Sequence, residues 1–400
     1  TCRIPKLEID NSEIIGFFKQ LHSLPCDHEK NWAYVDGRGK FALISEKKDA
    51  ECWAAELIRV NEDEIAHGNE QKIFEGDALP ADAVKVRCKL SFWNTWNGLL
   101  LTVKPLREKL RNSRKSRNEG LGSLSVLMLS FDSLSQMALR RTLPETTRVL
   151  EKELEAIVLN GYNIVGDGTP QAFIPILTGK TEEELPMARK RFKNQSRFLN
   201  DIYPFVWNNF SEAGFVTMFA EDQTKLGMFT YRLKGFDKSP TDHYSRAFHL
   251  EVENVQQKTT VRCIVMHNCG YSHDDVNTVE NMDEDFAEWL RVAQKDGVFD
   301  DVVLIVMADH GARFSDLRET HQGQLEERLP FFSVILPRPF RQTEDGRKLT
   351  FRHGSTVPPP SGVSEMTLLG RSAWERSVMH SSPLSCQLYR VGATPRFPYI

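Results

Sequence analysis

Gly161–Lys180, GYNIVGDGTPQAFIPILTGK, sets a short apolar run, Ile164-Val165, against Gly166-Asp167-Gly168 and then opens an apolar segment closed by Leu177-Thr178-Gly179. Thr169 can cap a helix whose first residue is Pro170, because proline already holds helical φ and brings no N–H to leave unpaired. A helix start offers free N–H groups and partial positive charge to an anion. A hydroxyl placed there is a candidate nucleophile toward phosphorus or sulfur, although most Thr-Pro pairs at helix starts are only caps.

Around this stretch the pattern alternates between apolar strands and helical spacing. Leu124–Phe131 is largely apolar without strict alternation, as in a strand covered on both faces. Leu143–Leu159 has helical spacing, Phe205–Ala213 and Met282–Lys295 read as helices, and Phe215–Phe219, Val261–Met266, Val302–Met307 and Phe331–Leu336 as strands. Strands separated by helices predict an α/β domain over 121–344, a mostly parallel sheet with helices on both faces.

The 40% hydrophobic and 26% charged composition of the 400 residues is that of an ordinary globular chain, and a net charge of −4 gives no electrostatic footprint for nucleic acid. No apolar run reaches the roughly 18 residues that span a bilayer. The chain starts at Thr1 without methionine, which fits removal of a leader or anchor.

Residues 1–103 form a separate region holding Trp32, Trp53, Trp93 and Trp96, which as large aromatics are expected in a small core. Asp36-Gly37-Arg38-Gly39 lies between two apolar runs and signals a hairpin; Val84–Phe92 alternates and reads as a strand. Of the seven cysteines, Cys2, Cys26, Cys52 and Cys88 fall here. That usage suits disulfides in a secreted β-rich module, with the pairing open. The sequons at Asn194 and Asn209 point the same way. A basic run, KPLREKLRNSRKSRN (104–118), marks a solvated linker over 104–120. From 345 to 400 the chain carries Val357-Pro358-Pro359-Pro360 and many serines, and reads as an irregular tail.

In parallel α/β sheets, ligands collect at the carboxyl ends of the strands. Asp132, the group His267, Asn268 and His273, the pair Asp309-His310, and Thr169 all follow predicted strands. Carboxylates and imidazoles in one place suit a divalent metal, zinc or manganese with calcium as a third candidate; beside a hydroxyl, such an ion lowers its pKa and neutralises charge on attacking and leaving oxygens. The reaction implied is attack by Thr169, then hydrolysis of the covalent intermediate.

Phe131-Asp132-Ser133, the Thr169 segment, Ala308-Asp309-His310-Gly311, His321 and Glu326-Glu327-Arg328-Leu329-Pro330 resemble the alkaline phosphatase and sulfatase superfamily. With Tyr231–Phe236, Pro240–Tyr244 and Ser272-His273-Asp274-Asp275 the pattern is closer still to the domain of unknown function 229 family, from the N-terminal cysteines to about Pro337. The resemblance implies an alkaline phosphatase-like core in which Asp132, Thr169, Asp309 and His310 hold one metal and His273 and His321 belong to a second. It also places Asp167 and His243 on the substrate. Asn268-Cys269-Gly270 stand where relatives offer acidic residues before the second-site histidine, and the pattern fades after about Glu344.

The leading expectation is a metal-dependent hydrolase, or transferase, of small-molecule, glycan-linked or lipid-linked phosphate or sulfate esters in the secretory pathway or outside the cell. The alternative is a secreted binding protein of the same fold with a decayed centre, in which the four first-site side chains would diverge. A nucleotide-binding protein lacks its GxGxxG or GxxxxGKS loop here.

Overall fold

Two apolar runs far apart in the chain, Ser125–Phe131 and Val302–Ala308, lie side by side as parallel strands with Ser125 opposite Val302 and Phe131 opposite Ala308. The computed structural model describes residues 6–19, 31–106, 108–109, 124–166, 168–256, 272–273, 275–344 and 346–347. The expected strand Val261–Met266, with His267 and Asn268, lies outside them, as do Asp167, Cys2, Cys26 and the 351–400 tail.

The chain divides into two units: one of Thr1–Leu24, Asn118–Leu185 and His267–Ile400, the other of Pro25–Arg117 and Pro186–Met266. The change of unit near 118 follows the basic run, but the division also falls at 24–25, within the region expected as one over 1–103, and at 185–186 and 266–267, where no local signal marks it.

In the first unit a four-stranded sheet runs in the order Ser125–Phe131, Val302–Ala308, Phe332–Ile335, Ile157–Val158. Only the first pairing is parallel; Phe332–Ile335 lies antiparallel to both its neighbours. The described sheet is therefore mixed rather than mostly parallel. The reason lies in the connection: the loop after Ala308 and the helix His321–Arg328 return the chain to the end of the sheet where it left. Ala308 N–H there bonds Phe331 C=O at 2.7 Å. Every residue of Val303–Ala308 is buried, so both faces of this strand are covered. On one face Leu304, Val306 and Ala308 pack with Leu139 and Leu143 from the helix Gln136–Thr142 and its end, and with Ala287, Leu290 and Ala293 from the helix Asp283–Lys295. Each leucine and valine among them contributes about 1.5–3 kcal/mol relative to exposure, each alanine methyl about 0.8 kcal/mol.

The stretch expected as one helix over Leu143–Leu159 is instead the short helix Pro144–Arg148, a π-helical turn Val149–Glu153 and the strand Ile157–Val158. Asp283 accepts from the N–H groups of Glu145 and Thr146 at 2.9 and 2.7 Å, satisfying orphan donors at that helix start.

The second unit is built on five antiparallel strands, with Glu51–Arg59 at the centre paired to Ile65–His67, Gln71–Ile73 and Ala83–Lys89, and Thr95–Leu101 outside the last. The hairpin Ala33–Val35 with Phe41–Leu43 forms where Asp36–Gly39 predicts it. Trp32 and Trp96 join this core, while Trp93 at the Lys89–Thr95 turn is 90% exposed and is no core residue. A turn of five residues holds its side chain beyond the sheet. Phe215–Phe219 contributes only Met218–Phe219, paired in parallel with His243–Tyr244 in this unit. The helix Arg246–Gln256 covers the sheet through Ala247, Phe248 and Val252 against Leu57 and Ala83. Lys109, from the basic run, is not solvated alone: its ammonium pairs with Asp242 at 2.7 Å.

Cys52 and Cys88 face each other on paired strands and form a disulfide closing a separation of 36 residues. Replacing both with alanine is expected to remove about 3–4 kcal/mol of stability through the lost constraint on the unfolded chain. A urea midpoint unchanged from wild type would contradict this. Among the described residues no helix is long and apolar enough to cross a membrane.

Candidate metal centre

The parallel register brings the site together. Because Phe131 sits opposite Ala308, the next residues, Asp132 and Asp309, leave the sheet side by side, and Asp309 N–H reaches Phe131 C=O at 3.3 Å. Strand geometry thus delivers two carboxylates to one point from distant segments. Gly311 lets the loop pass close under the His321–Arg328 helix: a Cβ there would stand 2.3 Å from Glu326 C=O, and Gly311 N–H bonds Glu327 C=O at 2.9 Å. The backbone approach leaves room for glycine alone.

Asp132, Asp309 and His310 are buried, and one ligand atom of each lies within 4.8 Å of the others. Asp309 Oδ1 accepts from the N–H groups of Ser133 and His310 at 3.0 and 2.8 Å, which leaves Oδ2 to face inward. His310 Nδ1 lies 2.8 Å from Gly311 C=O; a carbonyl only accepts, so the proton sits on Nδ1 and Nε2 carries a lone pair. That nitrogen stands 3.2 Å from Asp309 Oδ2 and 3.8 Å from Asp132 Oδ1. Among the described residues, neither His310 Nε2 nor Asp309 Oδ2 has a hydrogen-bond partner.

Lone pairs aimed at one another in a dry interior are costly. Burial, then the charge of Asp309, pushes the Asp132 carboxyl above its usual range, against the pull of His310 and Ser133. Burial likewise pushes Asp309 up, opposed by Thr169 and by the N–H groups of Ser133 and His310. Burial, then the charge of Arg313, lowers His310 to about 4, holding it neutral. Two carboxylates and a neutral imidazole fit a divalent cation, which would relieve all three.

The helix Thr169–Thr178 starts one residue earlier than expected. Gly168, at φ 133°, is the N-cap, in a conformation that L side chains rarely adopt. Thr169 is therefore inside the first turn with Pro170 after it, and is not the cap residue. Its hydroxyl instead interacts with the Asp309 carboxylate.

Of the other sequence candidates, Asp167 lies outside the described residues. His273 is half-buried, its ring 4.6 Å from that of Phe314, close enough for its charge to act on Asp132 and His310. His321 is exposed at the first position of its helix. His243 belongs to the second unit, buried with its Nδ1 2.6 Å from Asp82 Oδ2. Three residues around the site have no role assigned from sequence, although Ser133 and Tyr162 lie within the quoted motifs. Ser133 contacts all three cluster residues. Tyr162, its hydroxyl driven up by burial and by the charge of Asp309, and Arg313, whose charge acts on Asp309 and His310, complete the surroundings. The position of Arg313 just after Asp309-His310-Gly311 could also have drawn notice.

The sequence signature of DUF229, a family of proteins of unknown function, matches residues 21–270 and 260–348. The chain belongs to the DUF229 family. This DUF229 protein matches none of the curated proteins. Among solved structures it is similar to the C-terminal periplasmic domain of EptC from Escherichia coli in complex with Zn, at 13% identity over 57% of this chain and 76% of that one, TM-score 0.34. The lipoteichoic acid synthase LtaP from Listeria monocytogenes is similar at 11% identity, over 57% and 71% of the two chains, TM-score 0.34. A protein in the alkaline phosphatase superfamily from Vibrio parahaemolyticus is similar at 13% identity, over 59% and 70%, TM-score 0.34.

Proposed function

We propose that this DUF229 protein is a metal-dependent hydrolase or transferase of phosphate or sulfate esters with Thr169 as nucleophile. One observation carries the reading: three buried donors from two strand ends converge with two lone pairs unanswered, beside a threonine hydroxyl at a helix start. Asp132, Asp309 and His310 would hold the metal with Thr169. When bound, a divalent metal lowers the pKa of a neighbouring hydroxyl and neutralises charge on the reacting oxygens.

The residues of the chain perform the rest. Thr169 Oγ1 gives up its proton and attacks the phosphorus or sulfur atom; the bond to the ester oxygen breaks, that oxygen keeps the electron pair, takes up a proton and leaves as the alcohol, and the phosphoryl or sulfuryl group is carried on threonine. Water then attacks the same atom, breaks the bond to Oγ1, and returns the threonine hydroxyl with inorganic phosphate or sulfate. With an acceptor hydroxyl in place of water the same two steps make a transferase. The start of the Thr169–Thr178 helix presents backbone N–H groups toward the anion. Arg313 adds positive charge near Asp309 and His310, which favours an anionic substrate.

The substrate class is an ester on a small molecule, glycan or lipid, and the metal is zinc or manganese, with calcium as a third candidate. His273 and His321 are proposed for a second metal and Asp167 and His243 for substrate, on the order of their motifs. The Cys52–Cys88 disulfide and the exposed sequon asparagines Asn194 and Asn209 support residence in the secretory pathway or outside the cell. The test is metal analysis of the purified chain together with turnover of paired aryl phosphate and aryl sulfate. Stoichiometric divalent metal and hydrolysis of at least one ester are expected; a metal-free chain inert toward both would overturn the proposal.

A further inference from the structure

Ser133 has an unusual place in the first unit. It holds φ at 58°, a left-handed conformation that a non-glycine residue adopts at a cost of order 1 kcal/mol or more. In that conformation one residue reaches all three members of the cluster. Its N–H donates to Asp309 Oδ1 at 3.0 Å, its hydroxyl donates to Asp132 Oδ1 at 2.6 Å, and the same Oγ lies 3.4 Å from His310 Nδ1, on the protonated side of the ring. Ser133 is itself 2% exposed, so water cannot replace these contacts cheaply.

The two carboxylates and the imidazole come from segments 176 residues apart, and no pairing between strands fixes the rotation of a side chain beyond the strand end. Ser133 supplies that restraint. Bonding to Asp309 Oδ1 leaves Oδ2 turned inward, and bonding to Asp132 sets the plane of the second carboxylate. The hydroxyl proton has gone to Asp132, so Oγ turns a lone pair to the Nδ1–H edge of His310, which favours the tautomer with Nε2 free. Partners of this kind typically set metal affinity within about 10–100-fold.

Resting on the metal-site reading above, we infer that Ser133 is a positioning residue that sets how tightly Asp132, Asp309 and His310 hold a divalent cation. The serine hydroxyl does not touch the ester; it acts through the ligands.

The experiment compares Ser133→Ala and Ser133→Gly with the wild-type chain for zinc affinity, by competition against a chromophoric chelator. Both variants keep the backbone donor to Asp309 and lose the hydroxyl, but glycine also relaxes the left-handed conformation. Both are expected to bind zinc about 10–100-fold more weakly, with equal losses. Saturating zinc should restore most of the turnover number. Wild-type affinity in both variants, or a loss in the alanine variant that glycine reverses, would overturn the inference while leaving the metal site standing. A wild-type chain that binds no zinc, manganese or calcium would overturn the metal-site reading, and the inference with it.

Discussion

Thr169→Ala is expected to lower turnover of the ester by on the order of 10⁶-fold, the scale on which removal of a covalent nucleophile acts in other hydrolases. The fold has little to lose. Gly168, not Thr169, is the cap residue, and alanine is a good helix former in the first turn. Bound metal should stay near the wild-type amount, because Asp132, Asp309 and His310 remain. The interaction between the Thr169 hydroxyl and Asp309 is lost, which leaves that carboxylate slightly harder to ionise. Thr169→Ser, which keeps the oxygen, should retain turnover within about an order of magnitude. Equal turnover in the wild-type and alanine chains, with metal present in both, would remove Thr169 from the chemistry.

Asp309→Asn has the second large effect, and its two readouts move in opposite directions. The side-chain oxygen of the new amide can keep the two N–H bonds from Ser133 and His310. Its NH₂ then stands where Oδ2 was, 3.2 Å from His310 Nε2, and donates to that lone pair. A cation is repelled by the same hydrogens. Metal affinity should fall by more than the roughly 10–100-fold that loss of an outer partner costs, and turnover should fall with it. The metal-free variant, by contrast, should be more stable than the metal-free wild type by about 1–2 kcal/mol, because an unpaired buried charge has been neutralised and satisfied. Metal analysis and thermal melting in chelator measure both. A variant that keeps its metal, or one that melts lower than wild type in chelator, would contradict this account of the centre.

Much of the centre was legible because strand ends are visible in sequence. Leu124–Phe131 and Val302–Ala308 are apolar runs, so the acids that follow them stand out as leaving the sheet, and His310 comes with Asp309. Other features left no trace in residue pattern. An apolar strand such as Phe332–Ile335 reads the same whichever way it points, so the antiparallel sense that makes the sheet mixed depends on the length and path of the connection before it. A hydroxyl beside Pro170 reads as a cap; that Gly168 takes the cap and releases the Thr169 hydroxyl follows from the positive φ of glycine, which sequence permits without requiring. Ser133 belongs to the Phe131-Asp132-Ser133 motif, but a small polar residue without charge or periodicity carries no role that the pattern alone assigns. Trp93 was expected in the core by size alone, yet the turn that carries it leaves it exposed. Residues 186–266 were read with the α/β domain, since crossing between units has no local signature.

The first unit's assembly from three separated stretches dictates what happens on the ribosome. Ser125–Phe131 emerges with its apolar side chains long before Val302–Ala308 exists to pair with it, and Ser133 waits for Asp309 176 residues later. Contacts this distant in sequence make closure slow, and a nascent chain halted before residue 302 exposes an unpaired apolar edge that chaperones must shield. The second unit's five-stranded sheet, between Glu51 and Leu101, is synthesised before Ser125–Phe131, and the rest of that unit, Pro186–Met266, falls within the waiting interval, so the second unit can be completed first.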